Sequence, residues 1–321
     1  MDIPPRSALI KKTSSLKNFH LKWVQDAFHN GIGASISIVK VMLPVSLLIA
    51  VMKYFGFIDY LSLFLSPLFK FLGLPGEAIL ALLTGYLVNC YSALAVMATL
   101  PLTGKEITIL SVMLVICHTL PVEMSVQKRA GGPFWVILGI RLFASLLMGW
   151  LLNLWLPGEQ VAMVNAGSLG GVQDSETFAR MLLGWLTDNM IIIKIIGINV
   201  LLILFFRILK QYHTVERMGE WCAGIMGLLG LPKQTAFLWV AANILGLISG
   251  AALLVDAKRQ RILDDVDLAK LNVSLSTCHA LLQETANFTA IGAGVWILIF
   301  PRIVLAMVSV WIFNIITERF Q

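Results

Sequence analysis

Charge is scarce in this sequence. Asp, Glu, Lys and Arg make up 13% of its 321 residues, where a soluble domain carries about 25%. So few charges do not coat a water-facing surface of that size, and a soluble globular fold is excluded. Cysteine is scarce too, with Cys90, Cys117, Cys222 and Cys278 as the whole complement. Their spacing builds no disulfide framework, and three lie inside apolar segments, as in a reduced, cytosol-facing membrane. No Ser-His-Asp order, zinc-protease motif, dinucleotide fingerprint or Gly-x4-Gly-Lys-Ser/Thr loop occurs. There is thus no case for an enzyme or for a nucleotide-driven motor. The apolar segments lack strict alternation, which excludes a β-barrel. A cleavable leader is not expected, because the first 34 residues are polar and basic.

What is present is apolar length. Hydrophobic residues form 58% of the chain, and mean hydropathy is +0.84. A helix of about 20 apolar residues crosses the ~30 Å hydrocarbon core. Spanning candidates are 35–56, 105–123, 133–156, 188–209, 270–284 and 292–316. Two further runs, 77–100 and 234–255, have polar middles: Asn89-Cys90-Tyr91-Ser92 in one, Asn243, Gly246, Ser249 and Gly250 in the other. Amphipathic stretches at 59–72 and 216–229 precede them, each followed by Gly-Leu-Pro, at 73–75 and 230–232. Residues 1–34 read as a cytosolic basic amphipathic segment, with Leu16, Phe19, Trp23 and Ala27 at helical spacing beside Lys17 and Lys22.

The pattern is a duplication. At an offset of 157 the two Gly-Leu-Pro turns coincide and Ser92 falls on Ser249. At 161, eleven identities occur between 112 and 153, among them Cys117 with Cys278, His118 with His279, Glu123 with Glu284 and Arg141 with Arg302. Chance alignment of apolar runs shares Leu and Val, but it does not put Cys-His, Glu and Arg in register. The organisation read from this is a first repeat at 35–156, an external connector at 157–184 and a second repeat at 185–321.

The charges choose an orientation. If each polar-centred run is a re-entrant hairpin, each repeat has three spans and the repeats are inverted. The cytosolic segments then hold 16 Lys and Arg, the outer ones Lys70, Lys105 and Arg180. Parallel repeats would divide the same residues 12 to 7. The positive-inside rule favours inversion. The expected fold is therefore all-α and integral to the membrane: two inverted repeats, each with three transmembrane helices, one interfacial helix and one re-entrant hairpin. The expected location is the cell (inner) membrane, multi-pass, with both termini cytosolic. Re-entrant backbone must line a cavity or be buried in protein, and paired interrupted segments point to a transporter's substrate site.

Asn89-Cys90 through Ala95-Val96-Met97-Ala98-Thr99-Leu100, then Cys117 to Leu120-Pro121-Val122-Glu123, resembles the Gly-Cys-x-x-Pro-Ala-x-x-Ala-Thr-Arg and Cys-x-x-x-Leu-Pro-Val-Tyr runs of bacterial ferrous-iron permeases. Ala93 stands where that pattern has Pro, and Glu123 where it has Tyr. Across 35–316 the order of elements resembles the gate (nucleoside recognition) domain that those permeases share with concentrative nucleoside transporters. The resemblance implies a small-solute permease with a central site between the repeats, and ferrous iron or a nucleoside as the solute class.

Cys117-His118-x4-Glu123 and Cys278-His279-x4-Glu284 are the sharpest local feature. Thiolate and imidazole suit Fe, Zn or Cu, so Cys117, His118, Cys278 and His279 form the candidate set for a bound divalent transition metal. The plainer reading is that these groups bond helix backbones and lock broken helices together. On a regular helix the Cys–Glu and His–Glu offsets share no face, but Pro121 implies a break that would bring Glu123 round. Intramembrane ionisable residues are functional candidates by default. Candidate substrate contacts are Asn89, Cys90, Ser92, Asn243, Ser249, Gln283, Glu123 and Glu284. Arg141 and Arg302 recur at matching depth and are expected to pair with Glu123 or Glu284, or with carbonyls. A metal is placed slightly ahead of a nucleoside as solute, and a non-transporting assembly or regulatory protein resembling spore-maturation gate proteins is the alternative from another class. The expected partners are the lipid bilayer and the solute, not nucleic acid; a homo-oligomer is left open, and no other cofactor is expected.

Overall fold

The computed structural model describes residues 36, 39–40, 42–157, 177–188, 190–211 and 214–319. The 1–34 segment and connector residues 158–176 lie outside the described residues. Every element among the described residues is helical.

The first half runs α1 (Met42–Tyr54), α2 (Phe57–Phe71), α3 (Ala78–Leu87), α4 (Cys90–Thr99), α5 (Gly104–Ile116), α6 (Leu120–Arg129) and α7 (Phe134–Trp155). After α8 (Phe178–Asp188), the second half repeats that order. Its helices are α9 (Met190–Gln211), α10 (Thr214–Cys222), α11 (Ala236–Leu245), α12 (Leu247–Arg259), α13 (Asp265–Thr277), α14 (Leu281–Thr289) and α15 (Val295–Arg319). Helices α9 to α15 answer α1 to α7 one for one. The amphipathic stretch expected over 216–229 is broken. Its α-helix stops at Cys222, and Met226–Leu229 is a 3-10 turn. Gly224 in the gap and Gly227 in the turn explain the break, since glycine costs a helix interior about 1 kcal/mol against alanine.

Both polar-centred runs fold back on themselves. Helices α3 and α4 have ten residues each, about 15 Å of helix at 1.5 Å per residue, which is half the hydrocarbon thickness. One glycine and one alanine set the closeness of each hairpin, in swapped positions. A Cβ on Gly85 would stand 3.0 Å from the Ala93 Cβ, and one on Gly250 would stand 2.8 Å from the Ala242 Cα. Small residues let helix backbones approach in this way. Gly250→Ala meets backbone that has no rotamer to yield, so it is expected to open the second hairpin and cost about 1–3 kcal/mol, the usual penalty of overpacking. A thermal melt of the purified variant equal to wild type would refute the contact.

The helices on either side of the site are broken in the same way. Helix α5 starts at a capping box, with Thr103 and Glu106 exchanging hydrogen bonds with each other's backbone N–H. It ends at Ile116, where the sequence suggested a run from 105 to 123; Cys117 is extended and Thr119 is left-handed, at φ 46°. Pro121 then sits in the first turn of α6, where a missing N–H costs nothing. Proline is not what makes the break. Leu282 takes its place in the second copy, yet Ala280 adopts φ 48°. The hairpins hold both breaks open: Thr119 N–H donates to the Gly85 carbonyl at 2.8 Å, and Ala280 N–H to the Ala242 carbonyl at 3.1 Å.

By length and composition, Gly104–Arg129, Phe134–Trp155 and Val295–Thr317 are long and apolar enough to cross a membrane. The 270–284 run is more polar, carrying Asn272, Ser274, Ser276 and Thr277, all of them buried. Helix α13 packs on α15 and on α7, and α15 packs on α5. The two halves therefore interlock rather than sit side by side.

Candidate functional site

At each break the chain frees carbonyls and turns a histidine inward. His118 Nδ1 lies 2.9 Å from the Leu114 carbonyl, and His279 Nδ1 lies 2.8 Å from the Leu275 carbonyl. A carbonyl only accepts, so each Nδ1 carries the proton, and each Nε2 is left as the free ring atom. The two Nε2 atoms face each other across the halves at 3.4 Å.

Two carboxylates complete the centre. Glu123 Oε1 stands 3.0 Å from His118 Nε2 and 3.3 Å from His279 Nε2. Glu284 Oε1 stands 2.9 Å and 3.7 Å from the same two atoms. Both glutamates lie in the first turn of their helices, α6 and α14, where the amide dipoles favour negative charge. All four residues are buried, none more than 6% exposed.

Two fully buried arginines brace the centre from outside. Arg141 Nη2 donates to the His118 carbonyl at 2.9 Å, and its Nη1 lies 2.5 Å from Glu123 Oε2. Arg302 donates to the His279 carbonyl, to the Thr277 carbonyl at 3.2 Å and to Glu284 Oε2 at 2.8 Å. Each guanidinium thus covers the free carbonyl end of a broken helix and fixes the outer oxygen of a glutamate, leaving the inner oxygen for the centre. With neutral imidazoles, two arginines and two glutamates balance in charge. Two lone-pair nitrogens and two carboxylate oxygens then crowd one point, and only a cation, whether metal ion or proton, relieves their mutual repulsion.

Within the Cys-His pairs that the sequence singled out, thiol and imidazole have different partners. The histidines converge, whereas Cys117 lies beside Tyr86 and Arg141 and Cys278 Sγ lies 3.7 Å from Asn243 Oδ1. Each cysteine is the first non-helical residue after its helix, Cys117 extended at φ -135°, ψ 102° and Cys278 at φ -133°, ψ 85°, so its side chain leaves the chain in a different direction from that of the histidine after it. The residues that join the histidines are Glu123, Glu284 and Cys90, which the sequence had placed among substrate contacts. Cys90, His118 and Glu284 each offer a ligand atom within 4.8 Å of the others, as do His118, Glu123 and His279.

The other candidates have partners of their own. Asn89 is the N-cap of α4, accepting from the Ser92 N–H at 2.9 Å and the Ser92 hydroxyl at 3.2 Å. Asn243 donates to the Trp239 carbonyl. The Ser249 side chain lies outside the described residues. Gln283 donates to the Tyr91 hydroxyl at 2.9 Å and to Asn199 Oδ1 at 3.3 Å. Tyr91 also donates to Asn199 Oδ1, and Asn199 donates to Asn287 Oδ1 at 2.8 Å. Asn199 and Asn287 were missed from sequence; a lone amide inside an apolar span was the available signal.

Residues 35–132 match the family model for the gate domain, described as nucleoside recognition. A Bacillus subtilis (strain 168) protein described as the uncharacterized membrane protein YvoD is 28% identical over 274 residues, 84% of this chain and 86% of its own length. No solved structure matches the chain.

Proposed function

We propose that this gate-domain membrane protein is a permease for a divalent transition metal ion, which passes through the point between His118, His279, Glu123 and Glu284. The convergence of those four atoms carries the reading. A metal held at ~2.0–2.2 Å by a tetrahedron of N and O ligands sets ligand–ligand distances of about 3.3–3.6 Å. The four N···O distances and the one N···N distance among these atoms run from 2.9 to 3.7 Å. Imidazole with carboxylate suits Zn, Fe and Mn. The carbonyl behind each Nδ1 and the arginine behind each carboxylate supply the outer support that metal ligands require.

In this reading the repeats are inverted, both termini are cytosolic and the 157–184 connector is external, as the 16-to-3 division of Lys and Arg supports. Cysteine labelling that finds positions 129 and 170 on one side of the membrane would remove it. The burial of the centre corresponds to an occluded state, from which passage needs a hairpin to move.

Complete burial also favours a second reading, a non-transporting assembly protein with a resident ion. Calorimetry with Zn(II), Fe(II) and Mn(II) on the purified chain, with uptake into proteoliposomes, separates the two. Stoichiometric binding with uptake is expected. Binding without uptake selects the second reading, and absence of binding removes both.

A further inference from the structure

We propose that the ion has a second, successive position held by Cys90, His118 and Glu284, reached along a polar lane that exists on one side of the molecule only. The inference rests on the metal reading above and adds to it the order of two sites and the thiol.

Cys90 is the first residue of α4 at the tip of the first hairpin, 8% exposed. The thiolate is the form that binds metal, and binding of the metal itself releases the thiol proton. With His118 and Glu284 it offers three ligands of three kinds, each atom within 4.8 Å of the others. Three protein ligands leave a coordination position open, as in sites where a ligand must be exchanged. His118 belongs to both positions. Its Nδ1 is committed to the Leu114 carbonyl, so Nε2 is its one metal-binding atom. A single lone pair holds one ion, so the two positions fill alternately and His118 hands the ion from one to the other.

The duplication shows that this position is one-sided. Leu247 stands where the repeat would place a second Cys90. The same holds for the lane beside it, built by Tyr91, Gln283, Asn199 and Asn287 through the hydrogen bonds described above. Their counterparts in the other half, at offsets of 157, 161, 154 and 161, are Ile248, Val122, Val45 and Val126. Four polar residues thus answer to four aliphatic ones at the equivalent positions of the repeat. Buried amides and hydroxyls cost stability unless they are satisfied, and a pure scaffold would use aliphatic residues in both halves. The lane joins Cys90 through Tyr91, and Glu284 through Gln283, each its neighbour in sequence. In this proposal the ion loads from the side on which α4, α9 and α14 carry these hydrogen-bonded groups, first onto the thiol and then onto the His–Glu centre.

The test is Co(II) absorption of the full-length protein in detergent, for wild type, Cys90→Ser and His279→Ala. Wild type is expected to show a thiolate-to-cobalt charge-transfer band in the near ultraviolet. His279→Ala, which loses a ligand of the central position only, should strengthen it. Cys90→Ser should lack the band yet keep the visible bands of Co(II) bound by nitrogen and oxygen, with affinity within about 10-fold of wild type. Co(II) bound with no charge-transfer band in either wild type or His279→Ala would overturn the second position alone. A band surviving in Cys90→Ser would do the same. Failure of wild type to bind Co(II) at all would overturn the metal reading, and this inference with it.

Discussion

His118→Ala is expected to abolish tight metal binding while the protein stays folded. Loss of an outer partner of a metal ligand costs roughly 10–100-fold in affinity, so loss of this ligand, which faces both carboxylates and the other imidazole, should exceed about 100-fold. The structural loss is small by comparison. It comprises the hydrogen bond to the Leu114 carbonyl, a net contribution of about 1 kcal/mol, and the packing of one buried ring. His279→Ala should weaken binding less, because the set of Cys90, His118 and Glu284 survives it. Uptake should fail in both. Acid should weaken binding in wild type, since protons compete with the metal for the same Nε2 atoms. Zn(II) calorimetry beside a thermal melt decides the matter. A His118→Ala protein that binds like wild type, or one that unfolds with no change in affinity among the molecules still folded, would leave the histidines as helix locks.

Arg302→Met should be the most damaging single change to stability. Its guanidinium is fully buried and covers two carbonyls and one carboxylate. Removing it strands the Glu284 charge, and breaking a buried pair from one side typically costs about 3–5 kcal/mol. Arg302→Met with Glu284→Gln should recover part of that loss, because no buried charge is then unpaired, although the Thr277 and His279 carbonyls still lack their donor. Unfolding free energies of the two singles and the double form a cycle. A double variant whose loss equals the sum of the singles would mean that the pair is not coupled.

Several of these relations were legible in the sequence. Identities such as Arg141 with Arg302 survive at one offset across the second half of each repeat, and chance does not produce that. The arginine–glutamate pairing could be guessed because a buried guanidinium needs an anion and each repeat has one glutamate at the matching depth. The kink in the first copy was legible through Pro121. Its twin was not, because Leu282 carries no such signal and the hydrogen bond that holds Ala280 is accepted by the Ala242 carbonyl, far back in the chain.

The sequence by itself determined that the chain lives in a membrane, that it is built twice, and which polar residues are too deep to be incidental. These follow from local composition and from comparing the chain with itself. Only the tertiary structure decided which of those residues meet. The left-handed turns at Thr119 and Ala280 swing Glu123 and Glu284 onto the histidine side and leave Cys117 and Cys278 behind. Cys90 joins the centre, and Tyr91 reaches Asn199 across 108 positions. Periodicity assumes an unbroken helix and sees one helix at a time. A site made where two broken helices and a hairpin tip converge depends on backbone hydrogen bonds between segments, and no residue pattern within a segment records those.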